Sequence, residues 1–402
     1  MSIFAKDLIA IQLFNKSNPD PLSNMAGIYL HIPFCKKACH YCDFHFTTSL
    51  KYKNELLHAM NTELHLRKDY LKQDIETIYF GGGTPSVIST GELERLINTS
   101  TSLFTVNPKA EITMEANPDD LDRQKVQELR HTPVNRFSIG IQSFFEEDLL
   151  WMNRAHNAVE AESSVKRVQD AGFENITVDL IYGYPLLTNE KWISNIRKVI
   201  DLQIPHISAY SMTVEPQTAL ASFIKKGKQA NMNDAQSAEQ FLILMDMLEE
   251  AGYEHYEISN FAKPGSYSRH NSNYWKGVTY LGIGPSAHSF DGESRQWNVA
   301  NNAKYIDALL KNSLPSEWEV LSTENKLNEY IMTSLRTIWG MSLSHIEREF
   351  GSDHQKTVFE SLQQFLDKNW VISKDNNITL TRQGKLYADH IAAELFITSE
   401  ED

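Results

Sequence analysis

The chain has 402 residues, 41% of them hydrophobic and 22% charged, a balance that supports a buried core and excludes a disordered, collagen-like or coiled-coil protein. Its 52 acidic residues outnumber 38 basic ones, giving a net charge of −14, which argues against a main function in gripping nucleic acid or an anionic membrane. No apolar run approaches the ~20 residues of a membrane span, and the start of the chain lacks the marks of a secretion leader, so no membrane span and a cytoplasmic location are expected.

Residues 1–24 read as a short helix plus linker, an N-terminal extension ahead of the first convincing strand. From there β-rich runs alternate with amphipathic helical stretches: Ile28 to Ile32, Thr77 to Phe80, Glu111 to Glu115, Arg136 to Ile141, Ile176 to Ile181 and His206 to Met212. Each intervening stretch is long enough for a crossover helix, so the strands should be parallel. Six such units do not close an eight-unit barrel. The expected fold is α/β, a partial (β/α)6 barrel over residues 25–260 with its active groups at the C-terminal strand ends. A long helix is expected over Asp234 to Glu250, and residues 261–322 read as an accessory heme or substrate region. Residues 323–402 follow a helix-helix-helix-wing order, with a hairpin at Asp375-Asn376-Asn377, and read as a small winged-helix-like C-terminal domain. In so acidic a chain this is a packing module before it is a DNA reader, and no nucleic-acid partner is expected.

All three cysteines, Cys35, Cys39 and Cys42, lie in one loop directly after the first strand, which leaves none for a disulfide framework. Their spacing suits a metal centre. Zinc would need a fourth ligand, for which His40 and His45 are candidates. Covalent heme attachment needs two residues between cysteines before a histidine, whereas Cys35 and Cys39 are separated by three. An iron-sulfur cluster held by three cysteines would leave one iron open to an outside ligand.

With the flanking residues Tyr29-Leu30-His31-Ile32-Pro33-Phe34 and Tyr41, this loop resembles that of the radical S-adenosylmethionine enzymes. The resemblance implies a 4Fe-4S cluster on Cys35, Cys39 and Cys42, with S-adenosylmethionine bound at the open iron and cleaved to a deoxyadenosyl radical. It also gives roles to residues at the strand ends. Gly81-Gly82-Gly83-Thr84-Pro85 follows the second strand, where backbone without side chains can approach a ligand closely; the resemblance makes Gly82, Gly83 and Thr84 the holders of the methionine amino group. Alone, this run could be only a tight turn, and it lacks the ending of a nucleotide-binding loop. Glu115 ends the third strand, Gln142 the fourth, Arg154 sits in the next loop and Asp179 lies in the fifth strand. Each taken singly could be a core or surface polar residue; together they fit a zwitterionic, ribose-bearing ligand. Tyr29 and Tyr41 flank the cysteines and could stack on it.

Within that superfamily the chain looks like the coproporphyrinogen-oxidase branch. The dehydrogenases of that branch carry a fourth cysteine where Phe44 stands here, and a longer N-terminal region. Both departures point to the sister group, the HemW-type heme chaperones. His270-Asn271-Ser272-Asn273-Tyr274-Trp275 agrees with that group's His-Asn-x-x-Tyr-Trp motif, which the resemblance associates with heme. An imidazole can ligate heme iron while Tyr274 and Trp275 cover the ring, so His270, Asn271, Tyr274 and Trp275 are the heme candidates; a loop histidine between aromatics can equally be hydrogen-bonded structure. Gly282-Ile283-Gly284-Pro285 is rejected as a dinucleotide fingerprint because proline interrupts the turn. The expected function is delivery of heme to acceptor haemoproteins, with the electron donor unidentified and homodimerisation left open. The rivals are oxygen-independent coproporphyrinogen III oxidation and a zinc-stabilised winged-helix interaction protein.

Overall fold

The computed structural model describes residues 24–398, so the expected N-terminal extension lies outside the described residues but for Asn24. Six strands, β1 (Met25–Ile32), β2 (Asp74–Gly82), β3 (Val106–Ala116), β4 (Arg136–Gln142), β5 (Ile176–Tyr182) and β6 (His206–Ser211), pair side by side in sequence order. All five junctions between them are parallel. Helices such as Lys53–Leu66, Thr90–Leu103, Ala158–Asp170 and Asn189–Asp201 make the return crossings on the outer face. Alternation along each strand separates the two faces. In β1, Ile28, Leu30 and Ile32 are fully buried in the apolar core, while Gly27, Tyr29 and His31 face the barrel interior. Two of the returning helices start with reciprocal capping boxes, Ser89 with Glu92 and Asn157 with Glu160, which satisfy otherwise orphaned amide donors.

The sheet does not close. Beyond β6 it continues into the antiparallel pair β7 (Glu254–Glu257) and β8 (Asn260–Ala262), so the expected boundary at 260/261 falls inside a strand. Beyond β1 it continues through β9 (Thr279–Ile283), which runs parallel to β1, and then antiparallel through β10 (His288–Phe290), β11 (Ser294–Asn298) and β12 (Ser316–Val320). The region expected as an accessory thus covers the open edge of β1, a buried strand that could not be left unpaired. A buried carboxylate fastens it: Glu63 accepts from Arg67 Nε at 2.9 Å, Asn298 Nδ2 at 2.8 Å, the Gly284 amide at 2.9 Å and Tyr305 Oη at 2.5 Å.

Residues after 322 build a second core from Leu327, Ile331, Ile346, Val358, Leu362, Phe365 and Ile378. Helices Thr323–Leu335, Leu343–Phe350 and Ser352–Asp367 precede the hairpin β14 (Val371–Lys374) and β15 (Asn377–Leu380), with the short β13 (Met341–Ser342) completing its sheet. This module docks beside the β7–β8 pair, where Arg336 bonds Glu257 at 3.0 Å and the Ile258 amide donates to the Arg336 carbonyl at 3.0 Å. Among the described residues, no helix is long and apolar enough to cross a membrane.

Candidate functional site

The cysteine loop leaves β1 at its C-terminal end and is tied down on three sides. The Cys35 amide donates to the Thr47 carbonyl at 3.0 Å, the His40 amide to the Met152 carbonyl at 3.1 Å, and Asn153 Nδ2 to the Ala38 carbonyl at 2.7 Å. Beside it, the glycine run after β2 folds under the loop. The Gly83 amide donates to the Ile32 carbonyl at 3.0 Å and the Thr84 amide to the Phe34 carbonyl at 2.7 Å. A Cβ on Gly83 would lie 2.8 Å from the Phe34 carbonyl oxygen, which is backbone and cannot yield, so glycine is required by the contact itself.

These segments line a cavity of about 430 Å³ at the C-terminal mouth of the barrel. Cys35, Cys39, Cys42, Tyr41, Gly82, Gly83, Thr84, Glu115, Gln142, Arg154 and Asp179 all border it. The Thr84 hydroxyl donates to Cys35 Sγ at 3.4 Å, and Arg154 Nη1 to Cys39 Sγ at 3.4 Å and to Tyr41 Oη at 3.3 Å. Arg154 Nη2 reaches Asn117 Oδ1 at 2.7 Å and the Gly140 carbonyl at 2.8 Å. Tyr79 Oη donates to Glu115 Oε1 at 2.8 Å, and the Gly82 amide to Glu115 Oε2 at 3.3 Å. Ser138 Oγ lies 3.2 Å from both oxygens of Asp179. Burial pushes the Glu115 carboxyl up to about 7 and the Asp179 carboxyl up to about 6. Burial also raises the thiols of Cys35 and Cys42, the latter to about 12.

Two polar atoms at this cavity have no partner although they are buried, Gln142 Oε1 and Arg154 Nε. Orphaned groups of that kind are costly and mark a place where a polar ligand would complete the bonding. The Gln142 backbone carries φ +66°, beside a register shift between β4 and β5 that turns its side chain towards Arg154 and Gly140. Asn117, one residue past the end of β3, borders the cavity and holds Arg154, and the sequence reading missed it. Its signal was available: it is the next polar residue after Glu115 at the same strand end.

Other expected site residues stand elsewhere. The Tyr29 ring lies inside the barrel, 6.1 Å from Tyr79 and stacked on it, with its hydroxyl 3.2 Å from His31 Nδ1. The helix Arg269–Trp275, which carries His270, Asn271, Tyr274 and Trp275, packs against the opposite end of β1–β3. His270, expected to ligate heme, has both ring nitrogens engaged: Nδ1 lies 2.7 Å from Thr77 Oγ1, and Nε2 lies 3.0 Å from Tyr274 Oη. The candidate fourth ligands of the zinc reading each have one ring nitrogen engaged. His40 Nδ1 bonds the Trp151 carbonyl at 2.9 Å and His45 Nε2 bonds Asn302 Oδ1 at 2.7 Å.

The chain is similar to known proteins over most of its length. Residues 29–214 match the radical SAM superfamily and residues 321–387 the HemN C-terminal domain. The chain is 33% identical to the heme chaperone HemW of Bacillus subtilis over 371 residues, covering 91% of this chain and 98% of that one. It is also 33% identical to HemW of Lactococcus lactis, over 89% of this chain and 93% of that one. The chain belongs to the HemW heme chaperone family of the radical SAM superfamily. In fold it is similar to the solved coproporphyrinogen III oxidase HemN of Escherichia coli, with a TM-score of 0.80 at 21% identity over 97% of this chain and 93% of that one. Superfamily membership implies a 4Fe-4S cluster and S-adenosylmethionine, and the residues present fit them. Three thiols border one cavity with a guanidinium, the carboxyls of Glu115 and Asp179, a glycine cradle and two orphaned polar atoms.

Proposed function

We propose that this chain binds a 4Fe-4S cluster through Cys35, Cys39 and Cys42, binds S-adenosylmethionine in the adjoining cavity, and carries heme to acceptor haemoproteins in the cytoplasm. When bound, the cluster supplies a single electron to the sulfonium of S-adenosylmethionine. The chain's own residues hold and orient that ligand. The Glu115 carboxylate and the exposed edge of the Gly82–Thr84 cradle take its amino group, Arg154 takes its carboxylate, and Gln142 and Asp179 take the ribose hydroxyls. Tyr41 covers the ligand beside the cysteines, and Tyr29 supports the floor of the site from below.

The observation that carries this reading is the convergence of the three cysteines on a cavity whose buried Gln142 Oε1 and Arg154 Nε lack partners. Phe44 supports a chaperone over the coproporphyrinogen oxidase rival. It stands where that rival's fourth cysteine belongs, and it is 68% exposed at the cavity's edge. The test is anaerobic reconstitution followed by iron, sulfide and heme quantitation, then incubation with an apo-haemoprotein. Heme transfer without turnover of coproporphyrinogen III is expected. Protoporphyrinogen formation at useful turnover, or zinc without iron and sulfide, would overturn the proposal.

A further inference from the structure

The motif residue His270 is built into the barrel rather than presented to a ligand. Its helix, Arg269–Trp275, closes the end of the barrel away from the cysteine loop, and two of that helix's free amides, those of Arg269 and His270, donate to the Glu111 carboxylate at 3.1 and 3.0 Å. The imidazole then lies across β1 and β2. It stacks on the Tyr79 ring at 4.7 Å and 22°, with Tyr29 6.4 Å away on a similar plane. Gly27 makes room for it: a Cβ there would sit 3.5 Å from the imidazole and 2.8 Å from Thr77 Oγ1. Burial pushes this imidazole down to about 3, so the ring is neutral, with one nitrogen donating and the other accepting. The hydroxyls of Thr77 and Tyr274 can fill both roles.

An axial heme ligand needs an imidazole nitrogen with an open approach, and here Tyr274 Oη stands 3.0 Å from Nε2 while Tyr79 covers the ring face. The imidazole also lies at the end of the barrel away from the cysteine loop. His270 lies beside Gly27, and the cysteine loop begins after Ile32, about 17 Å further along β1 at roughly 3.3 Å per residue. What His270 does touch leads to the site. The ring it packs against is Tyr79, whose hydroxyl holds Glu115 Oε1 at 2.8 Å, and Glu115 in turn accepts from the Gly82 amide.

We propose that His270 is a positioning residue: it closes the far end of the barrel and fixes the Tyr79 ring, and through it the Glu115 carboxylate at the S-adenosylmethionine site, without ligating heme iron. This rests on the reading of the cavity as that ligand's site. The test uses the full-length, cluster-loaded protein. S-adenosylmethionine is titrated against the electron paramagnetic resonance signal of the reduced cluster, and heme against its Soret band. His270→Gln is expected to weaken S-adenosylmethionine about five-fold, the scale of one aromatic contact plus one hydrogen bond, and to leave the heme spectrum and affinity as in the wild type. Tyr79→Phe is expected to weaken the same ligand, and the double variant to be no weaker than Tyr79→Phe alone, because both act through one contact. Tyr274→Phe removes a single hydroxyl and covers the case in which His270→Gln does not fold. It frees Nε2, so a positioning residue loses some S-adenosylmethionine affinity, whereas a heme ligand gains heme affinity. Loss of heme with S-adenosylmethionine affinity intact in His270→Gln, stronger heme binding in Tyr274→Phe, or additive losses in the double variant would overturn the proposal. A wild-type signal indifferent to S-adenosylmethionine would instead bring down the site reading, and this inference with it.

Discussion

The Glu115 carboxyl makes S-adenosylmethionine affinity depend on pH in a direction the structure dictates. Its pKa in the ligand-free protein is pushed up to about 7 by burial first, with Asp179 adding to the rise and the donors Tyr79 and Gly82 offsetting part of it. An amino group donating to it favours the ionised form, so binding below pH 7 must first expel a proton. Affinity therefore rises as pH climbs towards 7 and levels off above it. With a pKa of about 7, roughly a tenth of the carboxyl is ionised at about pH 6 and three quarters at about pH 7.5, which makes binding about eight-fold tighter at the upper value. Asp179, raised to about 6 by burial, steepens the low end of the curve in the same sense. The assay is S-adenosylmethionine titration of the anaerobic, cluster-loaded protein at several pH values, for the wild type and for Glu115→Gln. The variant should bind more weakly at pH 7.5 and lose most of the slope. A flat wild-type profile, or an equally steep one in Glu115→Gln, would refute this role for Glu115.

Other perturbations probe the cluster loop and the packing behind it. Cys39→Ala should remove iron, sulfide and the brown colour of the cluster while leaving a soluble protein of unchanged far-ultraviolet circular dichroism; retention of both elements would remove Cys39 from the ligand set. Glu63→Ala leaves the buried Arg67 guanidinium without its carboxylate, a change expected to cost about 3–5 kcal/mol in denaturant unfolding. A loss below about 1 kcal/mol would show that the four-donor cluster is not what pins β9–β12 to the core. Gly284 has φ +107°, and a Cβ there would lie 2.6 Å from the His31 carbonyl oxygen, so Gly284→Ala should cost about 2 kcal/mol or more and lower cluster retention. Wild-type melting and iron content in that variant would contradict the tight packing behind the cysteine loop.

Much of this architecture was legible because parallel strands buried on both sides carry dense β-branched and aromatic runs, and all six of β1–β6 stand where those runs predict. The helix Asp234–Glu250 also stands where it was expected, and its buried Phe241, Leu244, Met245 and Leu248 recur at helical spacing. The strand β9 was not legible. Its pairing with β1 joins residues some 250 positions apart, and Gly282 inside it looks like a breaker. The structure supplies the reason for that glycine, since a Cβ there would meet the His288 carbonyl oxygen at 2.0 Å. The cysteine spacing and the polar residues at strand ends brought the cavity into view, but Asn117 emerged only with the bond it makes to Arg154. The state of His270 was beyond sequence for a physical reason: a motif names an imidazole, and only its neighbours, Thr77 from β2 and Tyr274 one turn along the helix, decide whether either nitrogen is free.

Whether three cysteines hold a cluster with one iron open to S-adenosylmethionine is decided by a low-temperature electron paramagnetic resonance spectrum of the dithionite-reduced, anaerobically purified protein, taken before and after addition of that ligand. The expected result is the signal of a reduced 4Fe-4S cluster that changes shape when the ligand reaches the iron no cysteine holds. A protein that shows no such signal, or one whose signal stays the same at saturating S-adenosylmethionine, would contradict it.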